Sequence, residues 1–173
     1  MPRTQWKRLS ASFRSLHNTL LTAETKNEIL AELAHSETNR MACIEALQIA
    51  QREHGWVNDE DLCEVAMLLG LTPDEVDGVA TFYNLIRRRP VGRHVILLCA
   101  SVSCWVMGYA ALRERLLQTL SVELGRTTAD GRFTVLENQC LGACDHAPVL
   151  MIDDDLYCDV DADRLGDILA KYA

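Results

Sequence analysis

The sequence predicts an α+β protein with an N-terminal helical bundle followed by a smaller layer of strands and helices. Residues 22–90 carry apolar residues at helical spacing, whereas residues 91–173 alternate short apolar runs with helical patterns. The periodicity changes at Pro90, because the residue before a proline is displaced from the helical region of the backbone. An apolar content of 49% in 173 residues is enough for a substantial core.

Residues 1–21 form a basic N-terminal extension that we expect to be disordered. No acidic residue occurs before Glu24, and the basic residues are Arg3, Lys7, Arg8 and Arg14. The same composition is typical of a mitochondrial transit peptide, which is the alternative interpretation.

The second half of the bundle has the strongest helix signals. Asn58 is a suitable N-cap, Gly70 is a suitable helix end, and the apolar residues between them share one face. Thr72 and Glu75 then form a capping box, with Pro73 at the first helical position. These signals predict two consecutive helices.

The first half of the bundle contains two further amphipathic segments. Ala23–His35 carries Ile29 and Leu33 on one side, and Met41–His54 stops at Gly55. Four amphipathic helices with short connections are typical of a small bundle, which we predict over residues 22–90.

The α/β layer begins with Val95–Leu98, a continuous apolar run that predicts a strand buried on both faces. This strand ends at Cys99. After Cys104 we predict one helix that continues to about Leu120, with its leucines facing inward.

The rest of the layer reads as three strands and a helix. Asp130-Gly131 is a turn dipeptide before the strand Phe133–Leu136, which leads to Cys140. Val149–Ile152 and Leu156–Val160 flank three aspartates and predict a hairpin, and an amphipathic closing helix follows. The resulting order, β-α-β-β-α, is that of a thioredoxin-like layer over residues 91–173.

Four of the seven cysteines form two tight pairs, Cys99-x4-Cys104 and Cys140-x3-Cys144. Each pair lies where a predicted strand runs into a loop. A [2Fe–2S] cluster needs four thiolates, two for each iron, and two such loops can supply them. The first pair also lies at a strand-to-helix junction, where backbone N–H groups favour anions such as thiolates.

The spacing of the four cysteines is also compatible with sites other than an iron–sulfur cluster. Tetrahedral zinc also takes four thiolates, and the spacing alone does not exclude it. A redox dithiol would require Cys-x-x-Cys, and a Rieske centre would require two histidine ligands, so we interpret His146 as a polar residue at the rim. A disulfide framework is weaker, because the chain lacks a secretory signal.

The three remaining cysteines are expected to be buried as small apolar side chains; they are Cys43, Cys63 and Cys158. Ser101 and Ser103 lie between two of the paired cysteines. They either donate hydrogen bonds to cluster sulfurs, which would raise the reduction potential, or simply suit a tight loop.

Two other features have two interpretations each. The run Arg87–Arg89, together with Arg93, is either a solvated face or a docking site for an acidic partner. Trp105, next to Cys104, either shields the cluster from water or lies at an interface.

Composition and missing motifs exclude several functions. A net charge of −8 argues against nucleic-acid binding, and no apolar run is long enough for direct membrane insertion. There is no Gly-x-Gly dinucleotide motif, so we expect no complete active site in this chain. A cluster without a substrate site indicates an electron carrier or a subunit of a larger redox enzyme.

Five motifs together resemble those of one known family. They are Gly55-Trp56-Val57, Gly78-Val79-Ala80-Thr81-Phe82-Tyr83, Pro90-Val91-Gly92-Arg93-His94, Cys99-x4-Cys104-x3-Gly108 and Cys140-Leu141-Gly142-x-Cys144-x3-Pro148. From about Thr22 to the end, the chain resembles the family of E subunits of bacterial NADH:quinone oxidoreductase, or respiratory complex I, with its thioredoxin-like [2Fe–2S] ferredoxin domain.

The resemblance implies a function and a set of site residues. Cys99, Cys104, Cys140 and Cys144 would bind one [2Fe–2S] cluster, which exchanges single electrons with the FMN of a partner flavoprotein subunit that oxidises NADH. A further iron–sulfur subunit would belong to the same complex. Related subunits serve NAD-linked formate dehydrogenases and NAD-reducing hydrogenases, which are the alternative hosts.

The resemblance also implies a location. The loop from Ser101 to Trp105 is more similar to bacterial members than to mitochondrial ones. We therefore expect a cytoplasmic subunit that lies peripheral to the inner membrane through its complex, with the mitochondrial matrix as the alternative.

Overall fold

The protein has the predicted α+β architecture, in a computed structural model that describes residues 21–172. The chain divides into two compact units, with the division between Arg88 and Arg89. The expected disorder of residues 1–21 falls outside the described residues except at Leu21, whose side chain is buried in the first core.

In its described part, the first unit has helices at the four predicted places. They are α1 (Ala23–His35), α2 (Cys43–His54), α3 (Asp59–Leu69) and α4 (Pro73–Phe82). The longest helix has 13 residues, and no helix between residues 21 and 172 is long and apolar enough to cross a membrane. The predicted bundle is therefore present as four short helices.

The helix ends follow the local signals in the sequence. The Asn58 side chain accepts a hydrogen bond from the Asp61 N–H at 2.7 Å, which caps the start of α3. Thr72 and Glu75 form the predicted reciprocal capping box at α4. Gly70 ends α3 with a φ of +66°, a conformation that glycine adopts without steric cost.

Each helix of the first unit contributes to one apolar core. Its fully buried members include Ile29, Leu47, Val57, Val65, Leu69 and Val76. Except for Val57, which lies between α2 and α3, these residues belong to the amphipathic stripes that predicted the bundle.

Arg88 ties the end of the first unit to the rest of the bundle. Its guanidinium bonds to Asp77 at 2.9 Å, to Asp59 at 2.6 Å and to the Val57 carbonyl, and its side chain is 20% exposed. Arg88 is therefore neither part of a solvated face nor a docking residue for an acidic partner. It stabilises the first unit itself. Its carboxylate partners precede it in sequence by many residues, so the run alone could not reveal them.

The second unit is a four-stranded sheet with helices. Its elements are β1 (His94–Cys99), α5 (Val102–Val106), α6 (Tyr109–Leu120), β2 (Phe133–Asn138), β3 (Leu150–Ile152), β4 (Asp155–Tyr157) and α7 (Leu165–Leu169). The strand order is β2-β1-β3-β4. Strand β1 is parallel to β2 and antiparallel to β3, and β3 and β4 form the predicted hairpin.

Strand β1 is buried as its apolar run predicted. Ile96 and Leu98 are fully buried, and they belong to a core that also contains Leu112, Leu116 and Phe133. The buried leucines of α6 confirm the inward face expected for this helix. Strand β1, which lies between β2 and β3, therefore extends from this packed core to its last residue, Cys99.

The helix predicted to continue from Cys104 to about Leu120 is broken in the structure. Helix α5 ends at Val106, and α6 begins at Tyr109 after Gly108, which has a φ of +115°. A right-handed helix cannot pass through that backbone conformation. The expectation of a single helix was therefore wrong.

Strand β4 is shorter than predicted, ending at Tyr157 instead of Val160. The Asp159 N–H donates to the His146 carbonyl at 2.8 Å, and the Val160 N–H donates to the Pro148 carbonyl at 3.0 Å. These bonds draw the chain away from the sheet and onto the loop that follows Cys144.

Candidate metal centre

The four paired cysteines lie together at one edge of the sheet in the second unit. Cys99 is the last residue of β1, and Cys104 lies in α5. Cys140 follows β2, and Cys144 begins a 3₁₀ turn that contacts α5. The structure thus brings the two predicted pairs to the same place.

The sheet explains why the two loops meet. Strands β1 and β2 are parallel neighbours, so their carboxyl ends leave the sheet at the same edge. The Ala100 N–H donates to the Asn138 carbonyl at 2.8 Å, which extends the pairing beyond β1. The Cys99 N–H donates to the Val149 carbonyl at 3.1 Å on the other side. Backbone hydrogen bonds of the sheet therefore fix the position at which each cysteine loop begins.

The thiols form two contacting pairs. The sulfur atoms of Cys140 and Cys144 are 3.6 Å apart, and the thiols of Cys99 and Cys104 are hydrogen-bonded to each other. A hydrogen bond between the side chains of Cys144 and Ser103 links the second pair to the first loop. All four thiols are free of disulfide bonds.

The two pairs differ in exposure to solvent. Cys99 and Cys104 are buried in a small apolar cluster with Ala147 and Val149. Cys140 and Cys144 are exposed. The centre therefore has an inner side against the protein and an outer side open to solvent.

Several N–H and O–H groups lie against the sulfur atoms. The Gly142 N–H donates to the Cys140 sulfur at 3.4 Å, and the Leu141 N–H bonds to Cys99. The Ser101 hydroxyl lies 3.3 Å from the Cys99 sulfur and also accepts from the Cys104 N–H at 3.4 Å. These groups stabilise a thiolate, which is the form that binds metal. Ser101 thus stabilises the tight loop, and donation from its hydroxyl to a cluster sulfur stays a prediction.

The thiol pKa values differ within the first pair. Burial acts to raise the pKa of Cys99, but the hydrogen bonds from Ser101 and from the Leu141 backbone outweigh it, so the pKa is lowered. The pKa of Cys104 is raised by burial and by the neighbouring Cys99. Cys144 also has a raised pKa, first because of its hydrogen bond with Cys140.

The donor set fits a two-iron cluster. Four thiols in two pairs supply two thiolates for each of two metal ions. Tetrahedral zinc takes four thiolates around one point, whereas two contacting pairs of thiols suit two metal ions.

His146 is bonded to carboxylates beside the centre. Its ring nitrogen atoms lie 3.0 Å from Asp159 and 3.5 Å from Asp145, and its side chain is exposed. This arrangement agrees with the interpretation of His146 as a polar residue at the rim.

The three other cysteines match their expected burial only in part. Cys43 is buried in the first core, and burial raises the pKa of its thiol. Cys63 is half-buried and Cys158 is exposed, so the prediction was wrong for Cys158 and only partly right for Cys63. Cys158 follows the early end of β4, where the chain leaves the sheet.

Trp105 is exposed on α5 and lines an open cleft of about 520 Å³ together with Tyr109, Arg113 and Leu117. It does not belong to the apolar cluster around Cys99 and Cys104. Of the two roles considered, this position favours an interface.

Two residues near the thiols were missed by sequence reasoning. Tyr109 packs against the inner cysteine cluster, and burial together with Glu137 raises the pKa of its hydroxyl to about 12. Val149 contributes backbone groups to the inner pair. Neither residue carries a local signal, because their roles arise from the folding of distant segments.

Comparisons with known proteins identify the family to which the chain is similar. Residues 27–173 match the family described as thioredoxin-like [2Fe–2S] ferredoxin. The chain is 44% identical over 153 residues to the E subunit of NADH-quinone oxidoreductase from Pseudomonas aeruginosa, and the match covers 88% of this chain and 92% of that protein. The E subunit of the Escherichia coli enzyme is 43% identical over 152 residues, with the same coverage.

A solved structure with a similar fold is an NAD⁺-reducing [NiFe]-hydrogenase in the air-oxidized state. The TM-score is 0.62 at 27% sequence identity. The likeness covers 73% of this chain but only 22% of the hydrogenase chain.

Proposed function

Because this chain belongs to the thioredoxin-like [2Fe–2S] ferredoxin family, we propose that it is the electron-transfer subunit of an NADH:quinone oxidoreductase. The identity to the E subunits of this enzyme extends over 92% of their length, which supports assigning the whole chain to this role. The family is named for its cluster, so one [2Fe–2S] cluster is the cofactor.

The observation that carries the proposal is the meeting of two thiol pairs at one edge of the sheet. Cys99 and Cys104 would bind one iron from the buried side, and Cys140 and Cys144 would bind the other from the exposed side. When bound, the cluster supplies reversible one-electron redox chemistry.

The residues of this chain bind and tune the cluster. The four cysteines would hold it, and the N–H groups of Leu141 and Gly142 donate hydrogen bonds to Cys99 and Cys140. The Ser101 hydroxyl accepts from the Cys99 thiol at 3.3 Å, and it would donate to that sulfur once the thiol has lost its proton. Such bonds stabilise negative charge and raise a reduction potential. The apolar wall of Ala147 and Val149 excludes water from the inner side. No catalytic acid, base or nucleophile of this chain takes part.

The outer side of the centre suits electron exchange with another protein. Electrons pass between the cluster and the FMN of a partner flavoprotein subunit that oxidises NADH. An apolar surface beside Cys104 supports such docking, since Val102, Trp105, Val106 and Met107 are all exposed. A further iron–sulfur subunit of the complex is the second partner.

The protein works in the cytoplasm and is peripheral to the inner membrane through its complex; the alternative is the mitochondrial matrix. The absence of a helix able to cross a membrane among residues 21–172 is compatible with both locations. The helical bundle provides a docking surface, because electron transfer by itself does not require it.

A second candidate is the equivalent subunit of an NAD-reducing hydrogenase or an NAD-linked formate dehydrogenase. The fold shared with the hydrogenase structure favours it. The higher identity to the E subunits of NADH-quinone oxidoreductase, and the much larger fraction of their length that is matched, favour the quinone-reducing complex.

The test is purification of the tagged chain from its native cells in mild detergent. We expect a flavoprotein and membrane subunits to co-purify, NADH-dependent quinone reduction, and a [2Fe–2S] signal in electron paramagnetic resonance after one-electron reduction. Recovery with a hydrogenase or formate dehydrogenase subunit would support the second candidate. Bound zinc without a redox signal would refute both.

A further inference from the structure

Gly78 lies in the interior of α4, and no contact within the first unit requires a glycine at this position. Glycine within a helix costs stability compared with alanine, because it loses more backbone freedom on folding. Gly78 is exposed, its φ lies outside the left-handed region, and no atom lies within 4 Å of the position that a Cβ would occupy. Nothing in the described part of the chain therefore excludes a side chain here.

The same face of α4 carries exposed apolar residues. Thr81 and Phe82 lie three and four positions after Gly78, which places them beside it on the helix surface. Phe82 is 80% exposed, and Leu85, just after the helix, is 50% exposed. We call Gly78, Thr81 and Phe82 the Gly78 face. The opposite side of α4, with Val76 and Ala80, is buried in the bundle.

The polar groups of this face are already satisfied. The Thr81 hydroxyl donates to the Asp77 carbonyl at 2.7 Å. The side chain of Asp77 is paired with Arg88, and Glu75 is paired with Arg40. The surface that complements the Gly78 face is therefore apolar and uncharged over most of its area.

Asp74 adds one charge at the end of the face. It lies one helical turn before Gly78, it is exposed, and it forms no ion pair with any described residue. A complementary partner would have a lysine or an arginine at that end of its apolar surface.

A second copy of this chain does not suit the face. An aromatic side chain buries roughly 150–250 Å² in all, so Phe82 together with the neighbouring Tyr83 and Leu85, at their observed exposure, offers on the order of 300 Å². A stable interface needs about 800 Å² from each partner. The net charge of −8 also makes two copies repel each other.

We propose that an apolar helix of another subunit of the host complex packs directly on the Gly78 face. This inference rests on the proposed function, since it needs a multisubunit host. The missing side chain at Gly78 lets two helix backbones approach closely, and Phe82 packs beside the contact. A larger partner that also contacts the chain elsewhere can use a face of this size.

The test compares two exposed helical glycines. Gly78→Leu adds a side chain where the isolated chain has room, so the purified variant should keep its fold, its cluster spectrum and its unfolding temperature. Its recovery with the other subunits should fall at least about tenfold, because the added side chain separates the helices. Gly166→Leu in α7 is the matched control, since Gly166 is also exposed with no atom within 4 Å.

Two further variants test the apolar residue and the charge. Phe82→Ser should weaken co-purification, whereas Leu156→Ser, at another exposed apolar residue, should leave it unchanged. Asp74→Lys should weaken it with a reduced dependence on salt, because one attractive pair is replaced by repulsion.

The outcomes separate this inference from the proposed function. If the wild-type chain recovers a flavoprotein and Gly78→Leu and Phe82→Ser do so equally well, the Gly78 face is not a contact and the inference is wrong. If the wild-type chain instead forms a dimer that Gly78→Leu abolishes, a second copy occupies the face. If the wild-type chain recovers no other protein at all, it is the proposed function that fails.

Discussion

Cys140 is the residue at which the ligand assignment can be tested most directly. Cys140→Ala leaves a single thiol on the exposed side, so the iron on that side would lack a ligand. We expect the variant to fold but to lose the cluster. The measurement is iron content and visible absorption after reconstitution. Cys158→Ala, which changes another exposed cysteine in the same unit, should retain full iron content.

Asp61 is a buried carboxyl group without a partner. It is 0% exposed, and neither of its carboxyl oxygens accepts a hydrogen bond. Burial raises its pKa from the ordinary 3.8 to about 6, against the lowering effects of Asn58 and His54; Glu53 and Glu60 add to the rise. A buried acid of this kind opposes folding once it ionises.

The pH dependence follows from that shift. Between about pH 4 and 6 the unfolded chain loses the Asp61 proton while the folded chain keeps it, so this residue lowers stability as pH rises. Asp61→Asn removes the ionisation, and it should be more stable than the wild type by up to about 3 kcal/mol above pH 6. Urea unfolding at pH 4.5 and 7.5 measures the difference. An equal difference at both values would contradict the assignment.

At the scale of elements, two side chains bind the segment after α4 to the bundle: Gln51, which bonds to the Leu85 carbonyl and to the Arg87 N–H, and Arg88. Arg88 joins it to Asp59 at the start of α3 and to Asp77 in α4. Arg88→Ala should lower the free energy of unfolding by about 2 kcal/mol, because the hydrogen bonds to both carboxylates and to a backbone carbonyl are lost.

Arg89 provides the control for that change. It is exposed, so Arg89→Ala should leave the urea unfolding midpoint unchanged. Equal midpoints for the two variants would mean that the ion pairs of Arg88 contribute nothing measurable, as is common for pairs at a surface.

Sequence predicted the elements whose signals are local. The capping box at Thr72 and the glycine after α3 depend on residues within one turn, so their positions were correct. The break at Gly108 and the early end of β4 depend on backbone conformation and on bonds to distant loops. Sequence spacing carries no information about those contacts.

The candidate site also has features that the sequence predicts and features that it does not. Two cysteine pairs at strand ends were visible in the sequence, because parallel neighbouring strands deliver their ends to one edge. The unequal exposure of the pairs was not visible, since it depends on how α5 and the loop around Ala147 pack. The partners of Arg88 were hidden for the same reason.

At the scale of the whole molecule, the two units have separate apolar cores. The first core lies within residues 21–86, and the cores of the second unit lie within residues 96–169. All four paired cysteines belong to the second unit. The free energy of binding a metal centre therefore stabilises the second unit directly.

Removal of the cluster should loosen only the second unit. A ligand that binds the folded state stabilises the part of the protein that forms its site. We expect faster amide hydrogen exchange in β1 and β2 after iron chelation, with unchanged exchange in α2 and α3. Mass spectrometry of peptides from both units gives the comparison. Equal loss of protection in the first unit would show that the two units unfold together.

The difference in exposure between the cysteine pairs makes the iron-free protein vulnerable to air on one side. Dioxygen can convert the exposed thiols of Cys140 and Cys144 to a disulfide, with its reduction to hydrogen peroxide, whereas Cys99 and Cys104 are shielded by protein. Peptide mapping after storage in air should find the outer pair oxidised first. Cluster insertion would then require a reductant, and preparation under inert gas would preserve the ability to take up iron.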